Sequence, residues 1–380
     1  MFDSNADILN KKDKFTAVLV GVINQKQTEV QALEYLDELA FLARTAGVDS
    51  LKYYTQSLEK PNPKTFVGTG KLDEIAAYVK ANKIDFIIFD DELSPSQLKS
   101  IEELTGCKIL DRSDLILFIF QERAQTAQAK AQVELAQMQY LLPRLKRMWT
   151  HLERQRGGYG FLGGPGESQI ELDKRMINKR IKQLKFMIEK IKKTRNMQYI
   201  NREKTKVPVV ALLGYTNAGK STLFNALTKL NVKAKNKLFE TLDTKISYFY
   251  LENTKKVYIS DTVGFISDLP TLLVEAFKST LDEVKKADLL VHVRDSCSKN
   301  TESEKEDVLK VLSQLNINPN SSDGPLMIEV MNKIDKAPAN IKENLYNIKN
   351  LTFISALTGE GIKLLKNKID KTLIKKLKSN

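Results

Sequence analysis

Two cysteines, two histidines and one tryptophan are all that 380 residues contain of those types, and each scarcity excludes something. Cys107 and Cys297 lie far apart with no histidine beside them, so neither a disulfide framework nor a zinc site is expected, and the compartment should be reducing. No run of about 18 uncharged apolar residues occurs, and the opening MFDSNADILNKKDK lacks the apolar segment of a secretion signal. A soluble, cytoplasmic protein with no membrane span is the expectation. Acidic residues are the smaller charged class. Sixty Lys and Arg against 47 Asp and Glu leave a net +13, an excess that usually marks a polyanionic partner, nucleic acid foremost, although a lysine-rich composition throughout gives the same sum.

What is present falls into three parts behind a flexible stretch, residues 1–14. Residues 15–121 alternate FTAVLVGV, EVQALEYLDELAFLARTAG, KLDEIAAYVKAN, IDFIIFD and SPSQLKSIEELTG. Short apolar runs between helical periods predict an α/β domain with a largely parallel sheet. Gly68 and Gly70 read as a turn entering a helix, since no Lys-Ser phosphate signature follows them.

Residues 122–206 differ in character. Ala124, Ala127, Ala131, Leu135, Met138, Leu142, Leu145 and Trp149 recur every three or four positions, the seam of a long helix, with Pro143 placed to kink it. Ile177, Ile181, Leu184, Ile188 and Ile191 repeat the spacing. Between them, residues 156–166 hold six of the seventeen glycines and should not be helical. The simplest arrangement is an antiparallel helical hairpin with a glycine-rich tip, where Tyr159 and Phe161 could stack on unpaired bases or pack the loop onto itself. From Lys174 to Lys206 thirteen Lys or Arg face only Glu189 and Glu203. Such a run suits RNA or phosphate; a merely solvated arm is the plainer reading.

Residues 207–380 carry the chemistry. VPVVALLGYTNAGKSTLFNAL joins an apolar strand to a helix through GxxxxGKS: Gly214 and Gly219 permit backbone N–H groups to wrap phosphates, Lys220 reaches the outer phosphates, and Ser221 can ligate Mg²⁺. KKVYIS ends at Asp261, whose carboxylate in DTVG lies near Mg²⁺ through water, while the Gly264 N–H faces the γ-phosphate. Thr241 of LFETLD is the expected switch threonine, adding its hydroxyl to Mg²⁺, with Thr244 as rival. NKID, residues 332–335, selects the base. Asp335 accepts both guanine N–H groups, Asn332 supports the guanine edge, and Lys333 covers the ring. Discrimination of about 10⁴ to 10⁵ against a base lacking those donors is within reach of such a site. In FISALTGEG the Ala356 N–H can meet guanine O6 and Ser355 braces the loop. The expected GTP site is therefore Gly214, Tyr215, Thr216, Asn217, Ala218, Gly219, Lys220, Ser221 and Thr222; Phe239, Glu240, Thr241, Leu242 and Asp243; Asp261, Thr262, Val263 and Gly264; Asn332, Lys333, Ile334 and Asp335; and Ser355 with Ala356. Lys220, Thr241 and Gly264 are the expected catalytic residues.

Phe265 follows DTVG where Ras-type switches place a water-orienting glutamine. Phenylalanine cannot hydrogen-bond water, so slow intrinsic turnover, stimulated by a partner, is expected. Asn217 is placed to offer an oxygen to a K⁺ ion near the phosphates.

With these motifs in view, the chain resembles the HflX family of ribosome-associated GTPases. The likeness covers FVGTGKLDEI, FDDELSPSQL, LDRSDLILFIF, QVELAQMQYLLPRLKRMWTHLERQ, GGPGESQIELDKR, GYTNAGKST, LFETLD, DTVGFI and VEAFKSTLDEV, from about residue 66 to 361. It implies a P-loop GTPase domain, mostly parallel with helices on both faces, behind a smaller α/β domain and the hairpin. It also implies a monomer that binds GTP, GDP and the large ribosomal subunit, with splitting or rescue of stalled ribosomes as the outcome. Thr244 stands where the family usually has proline, and Phe161 and Leu162 are more apolar than usual. The further C-terminal domain of many members is not expected after GIKLLKNKIDKTLIKKL. A regulatory GTPase whose hairpin grips a protein is the alternative.

Overall fold

The computed structural model describes residues 15–145 (except 26), 165–203, 207–229, 239, 244–267, 283–298, 300–321, 324–337 and 351–379, with backbone alone at 165–170, 195–196, 198–203 and 377–379. Residues 1–14, Trp149, Tyr159, Phe161, Leu162, Glu240, Thr241, Leu242 and Asp243 lie outside them. Among the described residues no helix is long and apolar enough to cross a membrane.

The chain divides into two compact units, residues 1–122 with 133–186, and 123–132 with 187–380.

The first unit is built on a four-stranded parallel sheet in the order β2-β1-β3-β4: β1 Phe15–Ile23, β2 Val48–Ser57, β3 Phe86–Phe89 and β4 Lys108–Asp111. β1 and β3 are continuous apolar runs because parallel strands inside a sheet are covered on both faces. Helix α1, Glu29–Thr45, buries Ala32, Leu36, Leu39, Leu42 and Ala43 at helical spacing. Its entry is a capping box: the Gln31 N–H donates to Thr28 Oγ1 (3.2 Å) and the Thr28 N–H to Gln31 Oε1 (2.9 Å). Leu36 is fully buried against Gly21, so Leu36→Ala would cost about 2–5 kcal/mol. Helix α2, Thr69–Asn82, starts behind Gly68 as its N-cap, and Gly70 lies within its first turn. Helix α3 spans Pro95–Thr105 and α4 Arg112–Arg123.

The long first arm is interrupted. Helix α4 ends at Arg123, and α5, Ala127–Leu141, starts anew with Thr126 Oγ1 accepting from the Ala129 N–H at 3.1 Å. A threonine capping bond competes with helix continuation, which is why the seam breaks there and leaves Ala127 exposed. At Pro143 the helix tightens into a 3₁₀ turn, Leu142–Arg144. Helix α6 runs Pro165–Glu203, starting inside the glycine-rich stretch because proline is well suited to a helix's first position. Ile177, Ile181 and Leu184 are buried, whereas Ile188 and Ile191 are half-buried. The Arg180 guanidinium grips the Glu134 carboxylate at 2.6 and 2.9 Å, so α5 and α6 meet at that level.

The second unit contains a six-stranded sheet, β10-β9-β8-β5-β7-β6, parallel except for the antiparallel pair β6–β7. Its strands are β5 Val209–Leu213, β6 Lys245–Tyr250, β7 Lys256–Asp261, β8 Leu289–Asp295, β9 Leu326–Asn332 and β10 Leu351–Phe353. Among the described residues, helices α7 Lys220–Thr228, α8 Thr301–Gln314 and α9 Ile362–Ser379 accompany it. Val210, Leu212, Leu223, Phe224, Val257, Ile259, Val291 and Val330 form its core with Leu365 and Ile369 of α9. The α/β class with a mixed, mostly parallel sheet is thus the one expected.

Candidate functional site

β5 lies between β7 and β8, so the strand order reverses around it, and ligands of open α/β sheets bind beyond the carboxyl ends of strands at that place. The loop from Gly214 to Lys220 leaves β5 there and enters α7. Gly219 sits at φ +93°, and a Cβ on it would come within 2.2 Å of Asn332 Nδ2, so no other residue fits.

Lys220 is buried, and its Nζ donates to the carbonyls of Gly214 (3.0 Å) and Tyr215 (2.8 Å). Burial pushes its pKa down to about 8, partly opposed by the charge of Asp261. Ser221 Oγ donates to Asp261 Oδ2 at 2.7 Å, bringing a hydroxyl and a carboxylate to one point. That hard oxygen pair fits Mg²⁺, which takes one or two protein oxygens and completes its shell with waters and phosphate.

The DTVG segment is laced to the phosphate loop. Thr262 Oγ1 donates to the Leu212 carbonyl (2.6 Å), the Thr216 N–H to the Phe265 carbonyl (2.6 Å), and the Phe265 N–H to the Gly214 carbonyl (3.1 Å). Gly264 approaches so closely that a Cβ there would lie 2.9 Å from Lys220 Nζ and 2.8 Å from Thr216 Cγ2. The Phe265 side chain is buried, and the Tyr215 and Ser267 hydroxyls share a buried hydrogen bond. Val263 is buried and Thr222 half-buried. In the first switch Phe239 is buried and Thr244 half-buried; Glu240–Asp243, including the expected Mg²⁺ ligand Thr241, fall outside the described residues.

At the ends of β9 and β10 the base-loop residues are braced from within. Asn332 is 2% exposed and faces inward. Its Nδ2 donates to the Ala218 carbonyl (2.9 Å) and its Oδ1 accepts from the Ala356 N–H (3.0 Å). It therefore ties the phosphate loop to the base loop. The Ala356 N–H, expected to be turned to guanine O6, is engaged by Asn332. Ile334 is buried, and Asp335 is exposed. Lys333 Nζ is held by Asp295 Oδ2 at 2.7 Å, which sets the run of its alkyl chain. Ser355 is fully buried, its Oγ accepting from the Thr358 N–H at 3.1 Å. Asn217 is exposed at φ +60° on the loop.

Sequence reasoning missed Asp295, the Tyr215–Ser267 pair and the bracing by Asn332. Asp295 ends an apolar strand, LLVHVRD, and a polar residue at such an end was the available signal. The other two are pairings across 52 and 114 residues that no local pattern announces.

Three family models match in succession: a GTP-binding GTPase N-terminal model over residues 33–121, a GTP-binding GTPase middle-region model over 123–202, and a 50S ribosome-binding GTPase model over 209–333. The chain is 52% identical to GTPase HflX of Flavobacterium psychrophilum over 318 residues, covering 84% of this chain and 75% of the relative. It is 44% identical to GTPase HflX of Escherichia coli, covering 88% and 78%. A solved GTP-binding protein from Sulfolobus solfataricus in complex with GDP is 26% identical over 95% of this chain and 99% of that one, with a TM-score of 0.46.

Proposed function

This chain belongs to the HflX family of GTPases and is a GTP hydrolase; from that premise we propose that it is a cytoplasmic, monomeric switch that binds the large ribosomal subunit in its GTP form and splits or rescues stalled ribosomes. The observation that carries the reading is the charge on α6. Arg175, Lys179, Lys182 and Lys185 are all exposed on one helix whose segment from Lys174 to Glu203 holds eleven basic residues against two acids. Ribosomal RNA is the polyanion such a helix would meet through its phosphates. The 50S ribosome-binding GTPase model that matches residues 209–333 supports the same partner.

Within the site, Lys220 and the loop N–H groups bind the phosphates, Gly264 meets the γ-phosphate, and Asp335 reads the guanine. Ser221, Asp261 through water and Thr241 would hold Mg²⁺, which would neutralise charge on the phosphates. Asn217, exposed at the loop, offers its oxygen to K⁺. Phe265 contributes only backbone bonds, because its side chain is buried, so the water-positioning group comes from elsewhere. Hydrolysis is therefore slow until the ribosome supplies that group.

Purified large subunits should stimulate GTP hydrolysis, the stimulation should fall steeply with salt, and a slowly hydrolysed GTP analogue should carry the protein into the subunit pellet more than GDP does. Absence of stimulation at low salt would remove the proposal. A protein partner for the helices has one observation behind it, the exposure of Leu172, Met176 and Phe186 on α6. A pull-down dominated by one protein and insensitive to nuclease would select that reading.

A further inference from the structure

The β6–β7 hairpin presents a face that the nucleotide site does not use. In the antiparallel pair Tyr248 lies opposite Tyr258 and Tyr250 opposite Lys256. Strand alternation sends Phe249, Val257 and Ile259 into the core and turns Ile246, Tyr248 and Tyr250 outward, at 37%, 47% and 64% exposure. The rings of Tyr248 and Tyr250 pack edge to face at 5.8 Å. Lys256 Nζ lies 4.5 Å from the Tyr248 centroid and 5.2 Å from that of Tyr258, which places a cation on the same surface. The hairpin's turn is anchored. Asp370 of α9 accepts from the Asn253 N–H and Nδ2 (2.9 Å each), from the Thr254 N–H (3.0 Å) and from Thr254 Oγ1.

We propose that this outer face is a stacking platform for unpaired bases of ribosomal RNA, an assignment that rests on the large-subunit reading above. Rings spaced along a strand, carried by a sheet that is already rigid, take up successive bases without ordering cost, as in other sheet-borne RNA binders. The charge suits the same partner. Between Lys245 and Tyr258 three lysines oppose one glutamate, and Lys256 sets a cation beside the rings, so the face carries the charge sign that a phosphate backbone requires. A partner strand would add along the backbone edge of β6; the tyrosines lie on the sheet's face. None of these residues belongs to the nucleotide site, so the platform can be removed without touching it.

The test uses the full chain, as wild type, as Y248A/Y250A and as Y250W, with two readouts. Fluorescence anisotropy with a labelled oligouridylate and with an RNA duplex of equal length tests the face; sedimentation with large subunits tests the reading it rests on. The wild type is expected to bind the single strand, and Y248A/Y250A to weaken that binding by at least about fivefold while leaving duplex binding and basal GTP hydrolysis unchanged. Y250W, which keeps a stacking surface, should bind like wild type. Equal affinity of wild type and Y248A/Y250A for oligouridylate, or an equal loss for both RNAs, overturns the platform. A wild-type protein that binds oligouridylate through the tyrosines yet never pellets with subunits retains the platform and overturns the ribosomal source.

Discussion

Both sheets set their first strand inside, β1 between β2 and β3 and β5 between β7 and β8, so each has a reversal of strand order where a ligand could sit. In the four-stranded sheet that place is filled by the protein's own charges. Arg112, at the end of β4, bonds Asp90 (2.5 Å) and Glu38. Arg144 reaches Asp111 Oδ2 (3.3 Å) and the Leu93 carbonyl (3.1 Å), with its guanidinium 3.5 Å from the Tyr140 ring centroid. Burial drives the carboxyl of Asp111 above the usual range, with Arg144 opposing; Asp114 is raised by burial and by the charge of Asp111. In the six-stranded sheet the corresponding cation, Lys220, bonds among the described residues to the carbonyls of Gly214 and Tyr215. Two similar scaffolds thus diverge through the partners of one buried cation. An arginine neutralised by carboxylates supports the fold, whereas a lysine held by neutral carbonyls retains its charge for a phosphate.

The largest expected effect is on the base. Asp335→Asn should reduce the preference for GTP over ATP by up to about 10⁴ to 10⁵, measured by competition binding, and a retained preference would move base selection away from NKID. Next comes the filled site. Arg144→Ala leaves Asp111 buried without its guanidinium and should destabilise the first unit by about 3–5 kcal/mol in denaturant unfolding while GDP affinity stays unchanged. Loss of GDP binding in that variant would show that the two strand-end clusters do not act separately. The smallest effect is in pH. Bound phosphate favours the charged form of Lys220 and raises its pKa from about 8, so GDP affinity should be level below pH 8 and fall above it by up to about tenfold per unit. A flat profile from pH 7 to 9 would mean that the lysine is already paired.

The phosphate loop and NKID could be read because each is a short segment whose chemistry and backbone shape are encoded together: GxxxxGKS needs its glycines beside its lysine. The apolar runs of β1, β3, β5 and β9 were legible for the same local reason. β2 was not, since VDSLKYYTQS mixes exposed and half-buried positions and is held as a strand by pairing with β1. The break at Thr126 escaped the helical seam because periodicity counts apolar positions and ignores a hydroxyl able to cap. Asn332 could be placed in the site but not given its task, which depends on Ala218 and Ala356 standing on either side of it.

By itself, the sequence determined the nucleotide class, the α/β fold class and the basic character of α6, because spacing and charge are local properties of a chain. Tertiary structure decided which buried cations were neutralised, which way Asn332 turned and which tyrosines reached the surface. Those outcomes depend on groups far apart in sequence meeting at the same strand ends or on the same sheet face.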